Sequence, residues 1–389
     1  MKNTKNLLKK VTSCILISAM LIVGAIGCGK DDKKEESNKD NNTKVESKVD
    51  AKENEKLELK YAKGFSIEYL EDGIKKIVDG ENRTLILVPE GKTVPEKYKN
   101  EIVINTPIKS VYIASTTQAC SLRAINELDS IKAVDTKEDN WEIQEVKQGI
   151  KNGKITFLGD GKAPDYEKLA TLKPDLTIVY TGPSGQQDLI AKLEELKLNY
   201  VVDNEYMEDN PYGRMEWAKL VAAFYNKEKE AGTHLDEAVK KVEEVSKKIG
   251  TEKKPKIVWA MVSKGTVYVP KKNSYAAKMI EMAGAENVFD SMDVGDGKIS
   301  LEQLYEKAKD ADIFMYSSTR NYSPDLKSIL DQAPLLKDID CVKKGNLWVF
   351  HEDYWQSVDK TDEVIIDLME VLHPGKTGEK VRHFVNYKE

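Results

Sequence analysis

One short pattern occurs twice in this chain, and it restricts the fold more than any other feature. Residues 163–180 read APDYEKLATLKPDLTIVY, and residues 300–317 read SLEQLYEKAKDADIFMYS. Each copy places a glutamate, Glu167 or Glu302, near a helix start. It then runs through a short amphipathic stretch and reaches an aspartate, Asp175 or Asp312, ahead of an apolar, strand-like run. A helix that leads into a buried strand is half of a βαβ unit, so two copies predict two similar α/β lobes. Helix-then-strand is also ordinary α/β grammar, and coincidence is the competing reading.

The rest of the chain extends the same alternation. From about residue 60, FSIEYL, IKKIVD and TLILVP are short apolar or alternating runs separated by EDG and GEN, which predicts an initial β-meander. SVYIAS then precedes TTQACSLRAINELD, IKAVDT precedes NWEIQEVKQGI, and LTIVY precedes QQDLIAKLEELK and NYVVD. Residues 58–209 therefore read as a first α/β lobe with a largely parallel sheet. Residues 210–250 read as one long joining helix, bent or straight. Asn210 and Pro211 start it, Leu235, Ala238, Val239, Val242 and Ile249 keep helical spacing, and Gly250 ends it. Residues 251–389 return to α/β alternation and form the second lobe, with a ligand cleft expected between the lobes.

The first 28 residues belong to neither lobe. They carry Lys2, Lys5, Lys9 and Lys10, then a mostly apolar run shorter than the about 20 residues a membrane span needs, and end in AIGC. That ending resembles a bacterial lipoprotein cleavage box in which Cys28 is lipidated, with Ala25 where the box most often has Leu. An uncleaved anchor is the alternative. Either places the body outside the cytoplasm, and the lipoprotein reading ties it to the outer face of the cell membrane. Residues 29–57 contain almost nothing apolar and cannot offset their ordering entropy by burial, so they read as a disordered, charged tether.

Removing the four signal lysines takes the formal charge from −6 to −10, which gives no support to a nucleic-acid partner. Five of the 60 basic residues are arginine, so forked contacts to anions are scarce. Cys120 and Cys341 fall in different lobes and are expected to be free, buried thiols rather than a disulfide framework.

Lipid anchor, charged tether, lobe, joining helix, lobe: this order resembles the solute-binding lipoproteins of ABC importers, specifically the class with a rigid helical backbone that serves iron-siderophore, haem and vitamin B12 uptake. The residues that carry the resemblance are APDYEKLATLKPDL, NPYGRMEW, SYAAKMIEMAGAENVF and the second glutamate copy. Gly284 and Ala285 stand where that family usually has Gly-Gly. The resemblance implies that Glu167 and Glu302 each face one subunit of a two-subunit permease, which works with a cytoplasmic ATPase. Matched carboxylates on similar lobes suit a two-fold symmetric partner. Solvated helix-start glutamates favoured by the helix macrodipole are the bland alternative. Glu216 in GRMEW reads as structural or cleft-lining. The implied ligand is a small metal chelate, a ferric siderophore first and a corrinoid or haem second, bound by a monomer with no cofactor of its own.

Ligands of open α/β sheets bind beyond the carboxyl ends of the strands. The candidates in the first lobe are Thr116, Thr117, Trp141, Tyr180 and Tyr206, with Ser115, Asn140 and Thr181 beside them. In the second they are Trp259, Tyr275, Arg320, Tyr322 and Trp355, with Tyr354 and Gln356 adjacent. Aromatic faces suit a bulky chelated ligand, and Arg320 would be its sharpest anion partner. The four histidines, His234, His351, His373 and His383, leave the first lobe without one, so a cage for a bare metal ion shared by both lobes is excluded. No GxSxG, HExxH or phosphate-loop pattern argues for an enzyme. A surface sensor or adhesin with the same two lobes is the remaining alternative.

Overall fold

Period-two alternation builds the first sheet. Ser66–Tyr69 (β1) turns Ile67 and Tyr69 inward, and it pairs antiparallel with Lys75–Val78 (β2), which pairs antiparallel with Thr84–Pro89 (β3). This is the expected meander. A fourth strand, Ile102–Thr106 (β4), joins β3 in parallel. The computed structural model describes residues 55–159, 161, 164–183, 185–250 and 254–388, which fall within the unit Ser47–Glu389. The export signal, Cys28 and tether residues 29–54 lie outside the described residues. Residues 55–57, expected in the tether, are instead paired with β1. The Leu57 N–H donates to Ile67 O at 2.8 Å, the Tyr69 N–H donates to Glu55 O at 2.9 Å, and Leu57 packs on the core.

The first lobe is a five-stranded sheet, parallel throughout. Its strands are Val111–Ile113 (β5), Ile131–Val134 (β6), Thr156–Phe157 (β7), Leu176–Val179 (β8) and Tyr200–Val202 (β9), in the order β7-β6-β5-β8-β9. Every residue of β5, β8 and β9 is buried, as a sheet covered on both faces requires. Helices Thr116–Ala124 (α1), Gln144–Lys151 (α2), Tyr166–Leu172 (α3) and Gln187–Glu195 (α4) connect the strands. The chain leaves β5 toward β6 and β7, then returns to the other side of β5 as β8 and β9. The topological switch point therefore lies between β5 and β8.

The joining segment is three helices rather than one: Pro211–Glu216 (α5), Ala218–Ala223 (α6) and Glu228–Ile249 (α7). Asn226 adopts the left-handed conformation at φ 59°, which asparagine tolerates better than most residues, and the helix ends there. The break lets Tyr225 turn into the first-lobe core and hydrogen-bond Ser130 at 2.7 Å. The remaining 22-residue helix spans about 33 Å. Its Leu235, Ala238, Val242 and Val245 pack into the second lobe, while Ala231 packs into the first.

The second lobe is a mixed seven-stranded sheet. Lys256–Ser263 (β10) runs antiparallel to Thr266–Tyr268 (β11) and parallel to the short Glu286–Asn287 (β12). Lys298–Ile299 (β13) pairs with β11, and Ile313–Thr319 (β14) and Leu347–Phe350 (β15) continue the parallel core from β10. Phe384–Tyr387 (β16), a strand beyond those the sequence pattern predicts, closes the far edge antiparallel to β15. Helices Tyr275–Met282 (α8), Leu301–Ala308 (α9), Leu326–Gln332 (α10), Asp340–Lys343 (α11) and Thr361–Leu372 (α12) cover it. Cys120 and Cys341 are buried and not bonded to each other, and burial pushes the Cys341 thiol up to about 11.

The two lobes are fastened to each other. Arg123 of α1 reaches Asp359 with two bonds, Nε to Oδ2 at 2.7 Å and Nη2 to Oδ1 at 2.6 Å. The Gln356 amide serves both ends of the 140–142 backbone, accepting from Glu142 N at 2.8 Å and donating to Asn140 O at 2.8 Å. Within the second lobe, His383 lies between Asp353 at 3.2 Å and Glu363 at 3.6 Å. Burial opposes its charge, but the hydrogen bond to Asp353 and the neighbouring Glu363 carboxylate outweigh it and lift the imidazole to about 9. Because the folded value lies above the ordinary one, the stabilisation is complete below about pH 6.5 and disappears as pH rises through 9. Denaturant midpoints are expected to fall between pH 7 and 9.5 in the native sequence and to fall much less in His383→Gln.

Candidate functional site

A crevice of about 840 Å³ opens at the switch point of the first lobe. Its walls are the segments that leave the carboxyl ends of β5 (Ser115, Thr116), β6 (Asp135, Lys137) and β8 (Tyr180, Gln186), as the topology demands. Gln186 ties the three together. Its Oε1 accepts from Tyr180 N at 3.1 Å, and its Nε2 donates to Ala114 O at 2.6 Å and approaches Asp135 Oδ2 at 3.5 Å. A Cβ at Gly161 would stand 2.3 Å from Asp135 Oδ2, so a larger residue there would displace that carboxylate. Burial, with Asp135 nearby, raises the Tyr180 phenol above its ordinary value.

Thr116 and Tyr180 line the crevice. Thr117 stands beside it, its hydroxyl 3.0 Å from that of Ser115. Tyr206, 42% exposed, sets its ring edge-on to Tyr180 with centroids 6.0 Å apart and donates its hydroxyl to Thr181 O at 2.5 Å. Trp141 is a correction. It is buried in the first-lobe core, with its indole N–H spent on Thr136 O at 3.1 Å. Trp259 is a second, being buried in mid-strand against Phe350 at 5.4 Å.

The candidates in the second lobe do not line this crevice, whose walls all come from the first lobe. The second lobe reaches its rim through Gln356, which is bonded to Asn140 O, and Asn140 lines the wall. Tyr275 is held in a buried network. The Arg214 guanidinium lies 4.8 Å over its ring, and its hydroxyl is 3.0 Å from that of Tyr354. Arg320 is already paired with Glu352 at 2.6 Å. Tyr322 and Trp355 are exposed, and Trp355 packs edge-on against Tyr354 at 4.9 Å.

Glu167 and Glu302 are both exposed and both occupy the second position of a helix. Asp165 caps α3 by accepting from Lys168 N, and Ser300 with Gln303 forms a capping box on α9. The Glu302 carboxyl is held below its usual range by its own backbone N–H and the Ser300 hydroxyl. Glu216, by contrast, is fully buried. It accepts from the backbone N–H groups of Lys60, Tyr61 and Ala62 and pairs with Lys219, so its role is structural. Among the described residues no group of three or more His, Cys, Asp and Glu could hold a metal ion.

Gln186, Asn204 and Asp135 are site residues that the sequence alone does not mark as ligand contacts. Their partners lie far off in sequence, and a neutral amide or lone carboxylate carries no mark of the partner it will meet.

The chain matches the model of the periplasmic binding protein family over residues 111–354. A lipoprotein of Methanocaldococcus jannaschii is 31% identical across 98% of this chain and 97% of its own. Among solved structures, an ABC transporter substrate-binding protein from Listeria monocytogenes superposes with a TM-score of 0.53 at 16% identity, over 68% of this chain and 99% of that one. A petrobactin-binding protein from Bacillus subtilis gives 0.54 at 15% identity, over 69% and 93%.

Proposed function

Because this chain belongs to the periplasmic binding protein family, we propose that it is the extracytoplasmic solute-binding lipoprotein of an ABC importer, capturing a ferric siderophore and delivering it to a two-subunit permease. The observation that carries the reading is the crevice at the first-lobe switch point, polar-walled and large enough for part of a chelate. Two lobes fastened by Arg123–Asp359 and Gln356 support a receptor that binds with little closure. A binding rather than a catalytic role accords with the family. The lipoprotein relative supports the anchor reading of Cys28.

The charges favour a chelate without strong negative charge. Among the described residues, the crevice is lined by Asp135 and Asp188 against Lys137. Four of the five arginines are already held by carboxylates: Arg83 by Asp79, Arg123 by Asp359, Arg214 by Glu205 and Arg320 by Glu352. A ferric trihydroxamate fits that balance better than a trianionic tricatecholate or the propionates of haem.

Tryptophan fluorescence of the purified protein, titrated with iron-loaded desferrioxamine, a ferric tricatecholate, haemin and cyanocobalamin, tests this. Saturable quenching by the trihydroxamate is expected, at least tenfold tighter than by the tricatecholate. Saturation by cyanocobalamin or haemin alone would replace the siderophore with that ligand.

A further inference from the structure

The family match begins at residue 111, so the whole four-stranded sheet β1–β4 precedes it. That sheet is not a loose appendage. The turn between β2 and β3, residues 79–83, is docked on the edge strand β9. Gly80 N donates to Val202 O at 3.0 Å, and Asp79 Oδ2 accepts from Val202 N at 3.1 Å. The Arg83 guanidinium lies 3.5 Å over the Tyr200 ring and donates to Tyr200 O at 3.3 Å.

The same turn reaches the crevice. Asn204, 4% exposed, accepts from Thr181 N at 2.9 Å and donates both to the Thr181 hydroxyl at 2.8 Å and to Gly80 O at 3.3 Å. The Thr181 hydroxyl in turn donates to Glu81. Thr181 O receives the Tyr206 hydroxyl, and Tyr206 stands edge-on to Tyr180 in the crevice wall. A second recess of about 390 Å³ separates the turn from α4, and Gln187 lines both recesses.

From this geometry we infer that the 79–83 turn is a positioning element of the ligand site: through Glu81, Gly80 and Asn204 it holds Thr181, and with it the Tyr180 and Tyr206 wall. The inference rests on the reading of the switch-point crevice as the ligand site. Thr181 is buried, so its hydroxyl and N–H need these partners; without them the wall loses its fixed geometry. A wall held in its bound arrangement costs less ordering when ligand arrives, so the turn sets affinity without touching ligand. Gly80 is tightly packed. A Cβ there would stand 3.0 Å from Val202 O and 3.1 Å from Asn204 Nδ2, and a branched side chain would push the turn off both.

Amide hydrogen exchange on the ligand-free full chain and titration with iron-loaded desferrioxamine test the coupling together. Glu81→Ala should speed exchange at the Tyr180 and Thr181 amides at least fivefold and leave the β14 amides unchanged. It should weaken the chelate by a similar factor, and Glu81→Gln, whose amide oxygen still accepts from Thr181, should restore both. Gly80→Val should do more of the same. Unchanged exchange in Glu81→Ala and Gly80→Val would overturn the inference, as would faster exchange with unaltered affinity. If the native chain bound no chelate at all, the ligand reading would fail, and the exchange comparison alone would still decide whether the turn holds the wall.

Discussion

Glu167→Ala combined with Glu302→Ala is expected to reduce import of the chelate more than a hundredfold, while the purified double variant binds ligand within twofold of the native chain. Each glutamate lies in the first turn of its helix, and each helix leads back to a strand of its own lobe. Such a helix runs opposite to the strand it feeds, so its N-terminus lies level with the carboxyl ends of the parallel strands, where the crevice opens. Two carboxylates presented this way, one per lobe, match a permease of two similar subunits. Truncating one partner of a desolvated charge pair costs about 2–5 kcal/mol at an interface, so two truncations together account for the predicted loss.

Stability is not what the double variant tests. Both helices keep their caps, Asp165 and the Ser300–Gln303 box, and a solvated first-turn carboxylate adds little to stability. Uptake of radioiron chelate by cells or proteoliposomes is the measurement. Undiminished uptake would leave a receptor without a transporter and favour the surface-sensor reading.

Arg214→Met carries the largest expected effect on stability. Arg214 is 6% exposed and bonds Glu205, itself 5% exposed, at 2.6 Å; beside them Asp203 is 2% exposed. Removing the cation leaves a buried carboxylate without its partner, a change that costs about 3–5 kcal/mol. Urea unfolding should show that loss, and Arg214→Met with Glu205→Met should recover most of it. A single variant as stable as the native chain would mean that Glu205 finds another partner.

Asp203 adds a pH signature. Burial, reinforced by Glu205, pushes its carboxyl up to about 8. The folded state therefore holds a proton that the unfolded chain has released above about pH 4. Stability from this group falls as pH rises from about 4 to 8 and is level above that, the reverse of the usual carboxylate. Asp203→Asn, whose amide oxygen can still accept from Glu205 N as Asp203 does at 3.1 Å, should flatten the dependence.

The site was less legible than the fold, and the tryptophans show why. Trp259 precedes a strand end by four residues in sequence, yet it sits within β10 and faces the core. Trp141 follows β6 and a short turn, and it is drawn inward because Thr136 O is there to receive its N–H. Position after a strand identifies the rim but not the direction in which a side chain points. Thr116 and Tyr180 stand immediately beside the ends of β5 and β8, where little chain intervenes, and they do line the crevice.

Short apolar runs alternating with amphipathic stretches were sufficient to read two α/β lobes, their order and the paired helix-start glutamates, because periodicity and capping act over a few residues. The joining helix broke at Asn226 for a reason outside that range, the burial of Tyr225 against Ser130, 95 positions away. Gln186 meets Ala114 across 72 positions, and Asn204 meets Gly80 across 124. Those contacts built the crevice floor and tied the leading sheet to its wall. They arise only when distant segments are packed together, since an amide side chain takes whichever partner the fold brings within reach.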